Sequence, residues 1–206
     1  MARMKLYYSP ASPYARKVRV MAIETGLDKK IEMVNVALSP VAPNADVDKH
    51  NPIGKIPVLS VKGMDLFDSP VICEYLDSHH KGRKLFPRKG RERWMALRQQ
   101  AMADGLLDAA LLARYEGALR PEEKRWSDWS KGQMKKIEGV LTQLDAEAKA
   151  LKGKPTIGTI SVACALGYLD LRFAAFDWRA RYSKLAKWFA AIAKTPSMKA
   201  TVPPPG

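Results

Sequence analysis

The chain has 206 residues, 47% of them hydrophobic, enough apolar material for a core in one large domain or two small ones, which excludes a disordered chain. Its two cysteines, Cys73 and Cys164, stand far apart in the apolar runs VICEYL and SVACALGYL; they suggest neither a disulfide framework nor a zinc site and read as buried small hydrophobes. The formal net charge of +14 is unevenly carried, since residues 1–80 hold 10 Lys/Arg against 9 Asp/Glu and residues 81–206 hold 25 against 12.

In chain order, KLYYS reads as a short strand. Pro13 to Thr25 reads as a helix, with Val18, Met21, Ala22 and Thr25 at helical spacing and Gly26 after it. IEMVNVAL is a second strand. Pro40, Pro43 and Asn44 break the chain, a short helical or irregular piece follows, and NPIGKIPVLSV delivers a third strand after a turn. Gly63 marks a tight turn into the fourth strand, DLF, and Ser69 to Ser78 reads as a helix with Pro70 at its first position. The order βαβ then ββα predicts an α/β domain with a mixed four-stranded sheet.

After His79 the pattern is helical only: about Gly90–Leu119, Pro121–Leu151, Thr156–Phe176 and Arg181–Lys194, then a Pro-rich tail. In ADGLLDAALLARYEGAL the stripe Leu107, Leu111 and Tyr115, with Leu106 and Ala110 beside it, suits a bundle helix. The expected organisation is therefore an α/β domain over 1–80, a linker over 81–90 and an all-α domain over 91–206, with no internal repeat.

Lys81 to Arg98 holds eight basic residues against the single acid Glu92. Such a stretch is open to two readings, a surface for nucleic acid or an acidic protein, or a solvated linker and helix face. The second is favoured, because no recognised nucleic-acid motif accompanies it. The start MARMKLYYSP lacks the apolar stretch of about 7–15 residues of a secretory signal. The longest apolar run, near Ile157 to Leu169, carries Thr, Ser and Gly and is too short to span a bilayer. These features predict a cytoplasmic protein with no membrane partner.

Ser12-Pro13-Tyr14-Ala15 has the layout of the Cys-x-x-Cys turn of a dithiol redox protein with both sulfurs replaced. Ser is a favoured N-cap and Pro a favoured first helical residue, so Ser12 falls where backbone N–H groups and the positive end of the helix dipole converge. In a Cys-x-x-Cys protein the anion at that place is its own thiolate. Here a thiolate has to come from a ligand.

Three further features point to the same site. Pro57 opens the third strand, and a cis Ile56–Pro57 bond would offer the main chain of Ile56 to an extended peptide ligand. Asp68-Ser69-Pro70 places a second capping Ser at a helix start, with donors for a carboxylate and an adjacent Asp for an ammonium. Lys55 adds a cation beside the third strand. The set suits a small thiol peptide with a carboxylate at each end and one amino group.

With SPASPYARKVRV, NPIGKIPVL and DSPVICEYL in this order and spacing, the chain resembles the glutathione S-transferase superfamily, as a serine-type bacterial member. ADGLLDAALLARYE and TIGTISVACALGYLDLRF also resemble the second-domain helices of bacterial members, so the match covers nearly the whole chain. The resemblance implies a thioredoxin-like first domain and a helical second domain. It implies that Ser12, with Ser9 in reserve, contacts the sulfur of glutathione, the cosubstrate. Ile56 would pair with the cysteinyl part beside a cis Pro57, Asp68 and Ser69 would hold the γ-glutamyl end, and Lys55 would lie near the glycyl end. Tyr7 and Tyr8 are not assigned as the catalytic tyrosine of other classes, and Tyr14 is expected to order the turn or flank the pocket.

Two departures stand out. Thr156-Ile157-Gly158-Thr159 has Thr where family members often carry Asp in a capping box, so a hydroxyl would have to cap, losing about 1 kcal/mol. No second basic residue for the glycyl carboxylate is evident; His50 is in the neighbourhood, and a lone surface His reads as a solvated side chain.

The implied function is glutathione transfer of the detoxification kind, with thiolate attack on an electrophilic, apolar small molecule, in a homodimer. No metal, nucleotide or flavin is implied. Two alternatives stay open on the same fold: a non-catalytic regulatory protein using residues 81–98, and a glutathione-dependent reductase, isomerase or dehalogenase.

Overall fold

The computed structural model describes residues 4–204; the outer ends of the two expected domains, residues 1–3 and 205–206, lie outside the described residues. The chain divides into two compact units, one running to Arg88 and taking back Pro196–Pro204, the other Lys89–Thr195.

The N-terminal unit contains β1 (Met4–Tyr8), α1 (Pro13–Glu24), β2 (Ile31–Asn35), α2 (Ala45–Asp48), β3 (Val58–Val61), β4 (Met64–Leu66) and α3 (Ser69–Ser78). The sheet order is β2-β1-β3-β4. β1 runs parallel to β2, with Leu6 opposite Met33, and antiparallel to β3, with Leu6 opposite Leu59. β3 and β4 form a hairpin turned by Lys62 and Gly63, both at positive φ (45° and 77°), as a two-residue turn matched to strand twist requires.

Strand alternation puts Leu6 and Leu59 into the core. Val18, Met21 and Ala22 of the predicted stripe of α1 are buried together with Ala15, and Ile72, Cys73 and Leu76 of α3 share that core. α1 ends as its sequence predicts: Gly26 takes φ 68°, its N–H reaches the Ile23 carbonyl and the Leu27 N–H reaches back to Ala22, both last-turn carbonyls being satisfied.

The stretch expected as a linker is tied down through residue 86. The buried carboxylate of Asp77 accepts the backbone N–H groups of Leu85 (2.7 Å) and Phe86 (3.1 Å). The Lys84 ammonium donates inward to the carbonyls of Asp77 and His80. Leu85 and Phe86 are buried.

The second unit contains α4 (Gly90–Ala118), α5 (Ser127–Ala146), α6 (Ile157–Arg172), α7 (Trp178–Arg181) and α8 (Ser183–Ile192). α6 is buried from Ile157 to Leu169 and packs chiefly on α4, as a helix apolar all round over that stretch must. Its capping box forms by hydroxyls: Thr156 Oγ1 accepts the Thr159 N–H (3.3 Å) and Thr159 Oγ1 accepts the Thr156 N–H (2.9 Å).

Three expected elements change. The helix expected from Pro121 begins at Ser127, because the buried Glu116 carboxylate accepts the Trp126 N–H (2.8 Å) and the Arg120 guanidinium (2.8 Å), fixing a turn. The helix expected over Arg181–Lys194 is broken at Tyr182, whose φ −124° and ψ 65° lie outside helical geometry; the Asp145 carboxylate then accepts the Leu185 N–H in the first turn of α8. The Pro-rich tail contains a further helix, α9 (Pro196–Ala200), seated on α1. There the Arg16 guanidinium donates to the Met198 carbonyl (3.2 Å) and the Ser197 hydroxyl to Glu24 (2.5 Å).

Candidate functional site

Topology alone gathers three segments. Tyr7 pairs with Val58 across antiparallel β1 and β3, so the exit of β1 and the start of β3 share one end of the sheet. Leu59 pairs with Leu66, so the exit of β4 lies at that end too. Ser9–Ser12, Lys55–Pro57 and Asp68–Ser69 are the chain at those three points.

Ser12 is the N-cap of α1, with φ −75° and ψ 119°. Its Oγ accepts the Ala15 N–H (3.2 Å), and its own N–H donates to the Ser9 carbonyl (3.0 Å). Capping uses a lone pair of the hydroxyl and leaves its proton to donate elsewhere. The first turn of α1 carries no acidic side chain, so nothing there opposes the positive helix end. Among the described residues the Ser9 hydroxyl makes no hydrogen bond. The turn therefore offers an O–H donor and a helix dipole to an anion, which is what a thiolate needs.

The Ile56–Pro57 bond is cis, with Pro57 buried and Ile56 half-buried just before β3. Lys55 is exposed, and its carbonyl accepts from the Asn51 side chain (2.8 Å). At α3 the capping residue is Asp68 rather than Ser69. Asp68 is exposed with its carboxylate making no cap bond, and its carbonyl accepts the Ile72 N–H, so Ser69 is the first helical residue, 1% exposed. The Phe67–Asp68 bond is also cis.

His50 is not the solvated side chain its sequence context suggested. Its Nδ1 meets Asp65 Oδ2 at 2.9 Å and its Nε2 meets the Tyr7 hydroxyl at 2.8 Å. Asp65 Oδ1 in turn accepts from the Ser60 hydroxyl across the β3–β4 pair. Burial works to raise the Asp65 carboxyl, but the Ser60 hydroxyl and the His50 ring outweigh it and hold the group below its ordinary 3.8. The strand pattern shows Tyr7 facing away from Leu6, but nothing local in the sequence pairs it with a residue 43 positions on.

Of the bundle stripe, Leu106, Leu107 and Ala110 are buried, while Leu111 and Tyr115 are half-buried. Among the described residues no group of His, Cys, Asp and Glu has the arrangement of a metal site, and no helix is long and apolar enough to cross a membrane.

Comparison with known proteins gives concordant matches. Residues 11–79 match the family model for the glutathione S-transferase N-terminal domain, and residues 105–191 that for its C-terminal domain. The chain is 32% identical over 205 residues to the uncharacterized GST-like protein YibF of Escherichia coli, covering 98% of this chain and 99% of that one. It is 48% identical to a glutathione transferase family member from Pseudomonas fluorescens Pf-5 solved with bound glutathione, at TM-score 0.96, covering 98% of this chain and 99% of that one. A structure from the same organism holds S-(propanoic acid)-glutathione; there the identity is 47%, the TM-score 0.92 and the coverage 98% and 100%.

Proposed function

Because the chain belongs to the glutathione S-transferase family, we propose that it binds glutathione on the N-terminal unit and ionises its thiol for attack on a small apolar electrophile. The observation that carries this reading is the convergence of Ser12, Lys55–Pro57 and Asp68–Ser69 at one end of the sheet. Relatives with glutathione or a glutathione thioether bound support it.

In this reading Ser12 is the catalytic residue. Its hydroxyl donates to the sulfur while its lone pair still caps α1. Ser9, whose hydroxyl makes no hydrogen bond among the described residues, is the reserve contact. Lowering the bound thiol from a pKa of about 8.5 to about 6.5 takes roughly 2.7 kcal/mol of preferential interaction with the thiolate and leaves most of it ionised at neutral pH.

Ile56 pairs through its main chain with the cysteinyl part of the tripeptide, beside Pro57, and Lys55 attracts the glycyl carboxylate. The Asp68 carboxylate takes the γ-glutamyl ammonium, and Ser69 with the first turn of α3 takes its carboxylate. The thiolate then forms an S–C bond with the electrophile. Its leaving group departs with the bonding pair or, in an addition, the resulting carbanion takes a proton from water.

We further propose a cytoplasmic homodimer; a single monomeric species at micromolar concentration in sedimentation velocity overturns the dimer. The stretch 81–98 is read as a solvated face rather than a nucleic-acid surface, since Lys84 is turned onto carbonyls and Arg98 pairs with Glu147 (2.9 Å).

The test is a glutathione titration by calorimetry and by ultraviolet difference absorption of the thiolate, on the wild type and on Ser12→Ala. Wild type is expected to bind and to show thiolate at pH 7, and Ser12→Ala to lose the thiolate signal. Absence of binding to the wild type overturns the reading.

A further inference from the structure

The segment that presents Lys55 and Ile56 is built on two consecutive residues. Asn51, 2% exposed, closes the loop on itself: its Nδ2 donates to the Lys55 carbonyl (2.8 Å), its Oδ1 accepts the Ile53 N–H (3.0 Å) and its carbonyl accepts the Gly54 N–H (2.8 Å). These bonds fix the shape of the loop but not its place on the sheet. The preceding residue supplies the place. His50 bridges β1 and β4 through Tyr7 and Asp65, and Asp65 is braced by Ser60 of β3.

The donor directions close without a remainder. Asp65 accepts at both oxygens, so His50 Nδ1 carries the proton and donates to Oδ2 while the Ser60 hydroxyl donates to Oδ1. In the neutral ring His50 Nε2 then accepts the Tyr7 hydroxyl, and in either protonation state the two groups meet at 2.8 Å. The rings of Tyr7 and His50 also face each other, with centroids 4.6 Å apart. Both nitrogens of His50 are thus committed within the protein, which removes it as a ligand for a substrate carboxylate.

We propose that His50 is a positioning residue for glutathione: the chain Tyr7–His50–Asp65–Ser60 holds the loop 51–57 against the sheet, so that Lys55 and Ile56 are in place before the ligand arrives. This rests on the transferase reading above. A loop fixed in advance spares the ligand the cost of ordering it, so the effect belongs in binding and not in the chemical step.

The test uses His50→Leu, His50→Asn and the wild type in two measurements. One is steady-state kinetics with varied glutathione and a fixed electrophile, 1-chloro-2,4-dinitrobenzene. The other is amide hydrogen exchange of the unliganded proteins. His50→Leu is expected to raise the KM for glutathione about tenfold with kcat within about twofold. In exchange, the Ile53 and Gly54 amides are expected to lose about tenfold in protection while the Leu59 amide in β3 keeps its own.

His50→Asn, whose amide N–H stands near the position of Nδ1 and restores the bond to Asp65, is expected to recover most of both effects. Wild-type KM and loop protection in a folded His50→Leu overturn the proposal, as does a fall in kcat at constant KM, which would put His50 at the reacting atoms. If the wild type itself fails to bind glutathione, the transferase reading falls and takes the named ligand with it. The exchange result then shows separately whether His50 holds the loop.

Discussion

Gly158 of α6 lies so close to Ala96 of α4 that a methyl group at position 158 would stand 2.5 Å from the Ala96 carbonyl oxygen and 2.5 Å from Gln99 Oε1. Replacing a helical Gly by Ala ordinarily gains about 1 kcal/mol from propensity. Here the backbone contact decides the sign, because a main-chain carbonyl cannot swing aside as a side chain can. Gly158→Ala is expected to destabilise the helical unit by about 1–3 kcal/mol, the range of overpacked cores. Urea unfolding followed by circular dichroism measures this, and an unchanged or raised midpoint would mean that α4 and α6 separate at little cost.

Ser12 has two duties that one substitution separates. Ser12→Ala removes the cap of α1, for an expected loss of about 0.5–2 kcal/mol, and leaves the sheet end intact. Turnover with a thiol-addition substrate is expected to fall far more than that loss of stability explains. Retained turnover moves the sulfur contact to Ser9 or to the backbone N–H groups alone. Ser12→Cys places a thiol at the same helix start and is expected to form a mixed disulfide in an oxidising glutathione buffer, visible as the adduct mass; no adduct means that position 12 does not lie beside the sulfur.

The turn between α4 and α5 depends on one carboxylate. Glu116 is held below its ordinary 4.5 first by the Trp126 N–H and then by Arg120, against the opposite pull of burial. A carboxyl whose folded value lies below its unfolded value stabilises the protein above pH 4.5 and ceases to do so as pH falls through the folded value. Glu116→Gln is therefore expected to melt below the wild type at pH 7. The gap should close as the pH is taken below 4.5, and a gap that is the same at pH 7 and pH 3 would show that the charge is irrelevant.

Arg16 reaches Met198 from the buried side of α1, with a second bond to Thr201 Oγ1 at 3.4 Å. Losing a charge-assisted bond of this kind costs about 1.5–3 kcal/mol. Arg16→Met, which keeps the aliphatic stem, is expected to lose that much in chemical denaturation. A chain ending at Thr195 is expected to show a comparable loss if α9 matters through this contact.

Features written in neighbouring residues were legible. Ser12-Pro13 announces a cap, Gly26 a helix end and Gly63 a hairpin, because each acts on backbone within a few residues of itself. The order of elements sufficed for the mixed sheet, whereas a Pro at a strand start is trans in most proteins and the cis bond at Pro57 was implied by the family resemblance. Features made by distant partners were not legible. His50 reads as a solvated side chain until Tyr7 and Asp65 are folded onto it. Glu116 looks like any helix-surface acid until the chain returns with Trp126. Pro196 reads as part of a tail, although Pro is also a favoured first residue of a helix. At Asp68-Ser69 the sequence reading puts the cap on Ser69, and the structure puts it on Asp68.

The seating of α9 on α1 bears on how the protein is made. The Arg16 bonds to Met198 and Thr201 span 182 and 185 residues of sequence, so the unit that is begun first is completed by a segment made only after Lys89–Thr195. At about 5–20 residues per second, the intervening segment Lys89–Thr195 occupies the ribosome for roughly 5–20 s. Throughout that interval the nascent α1 exposes the face that α9 later covers. A chain stalled or cleaved before Pro196 would leave that face open, giving quality-control machinery a mark by which to tell an unfinished copy from a finished one.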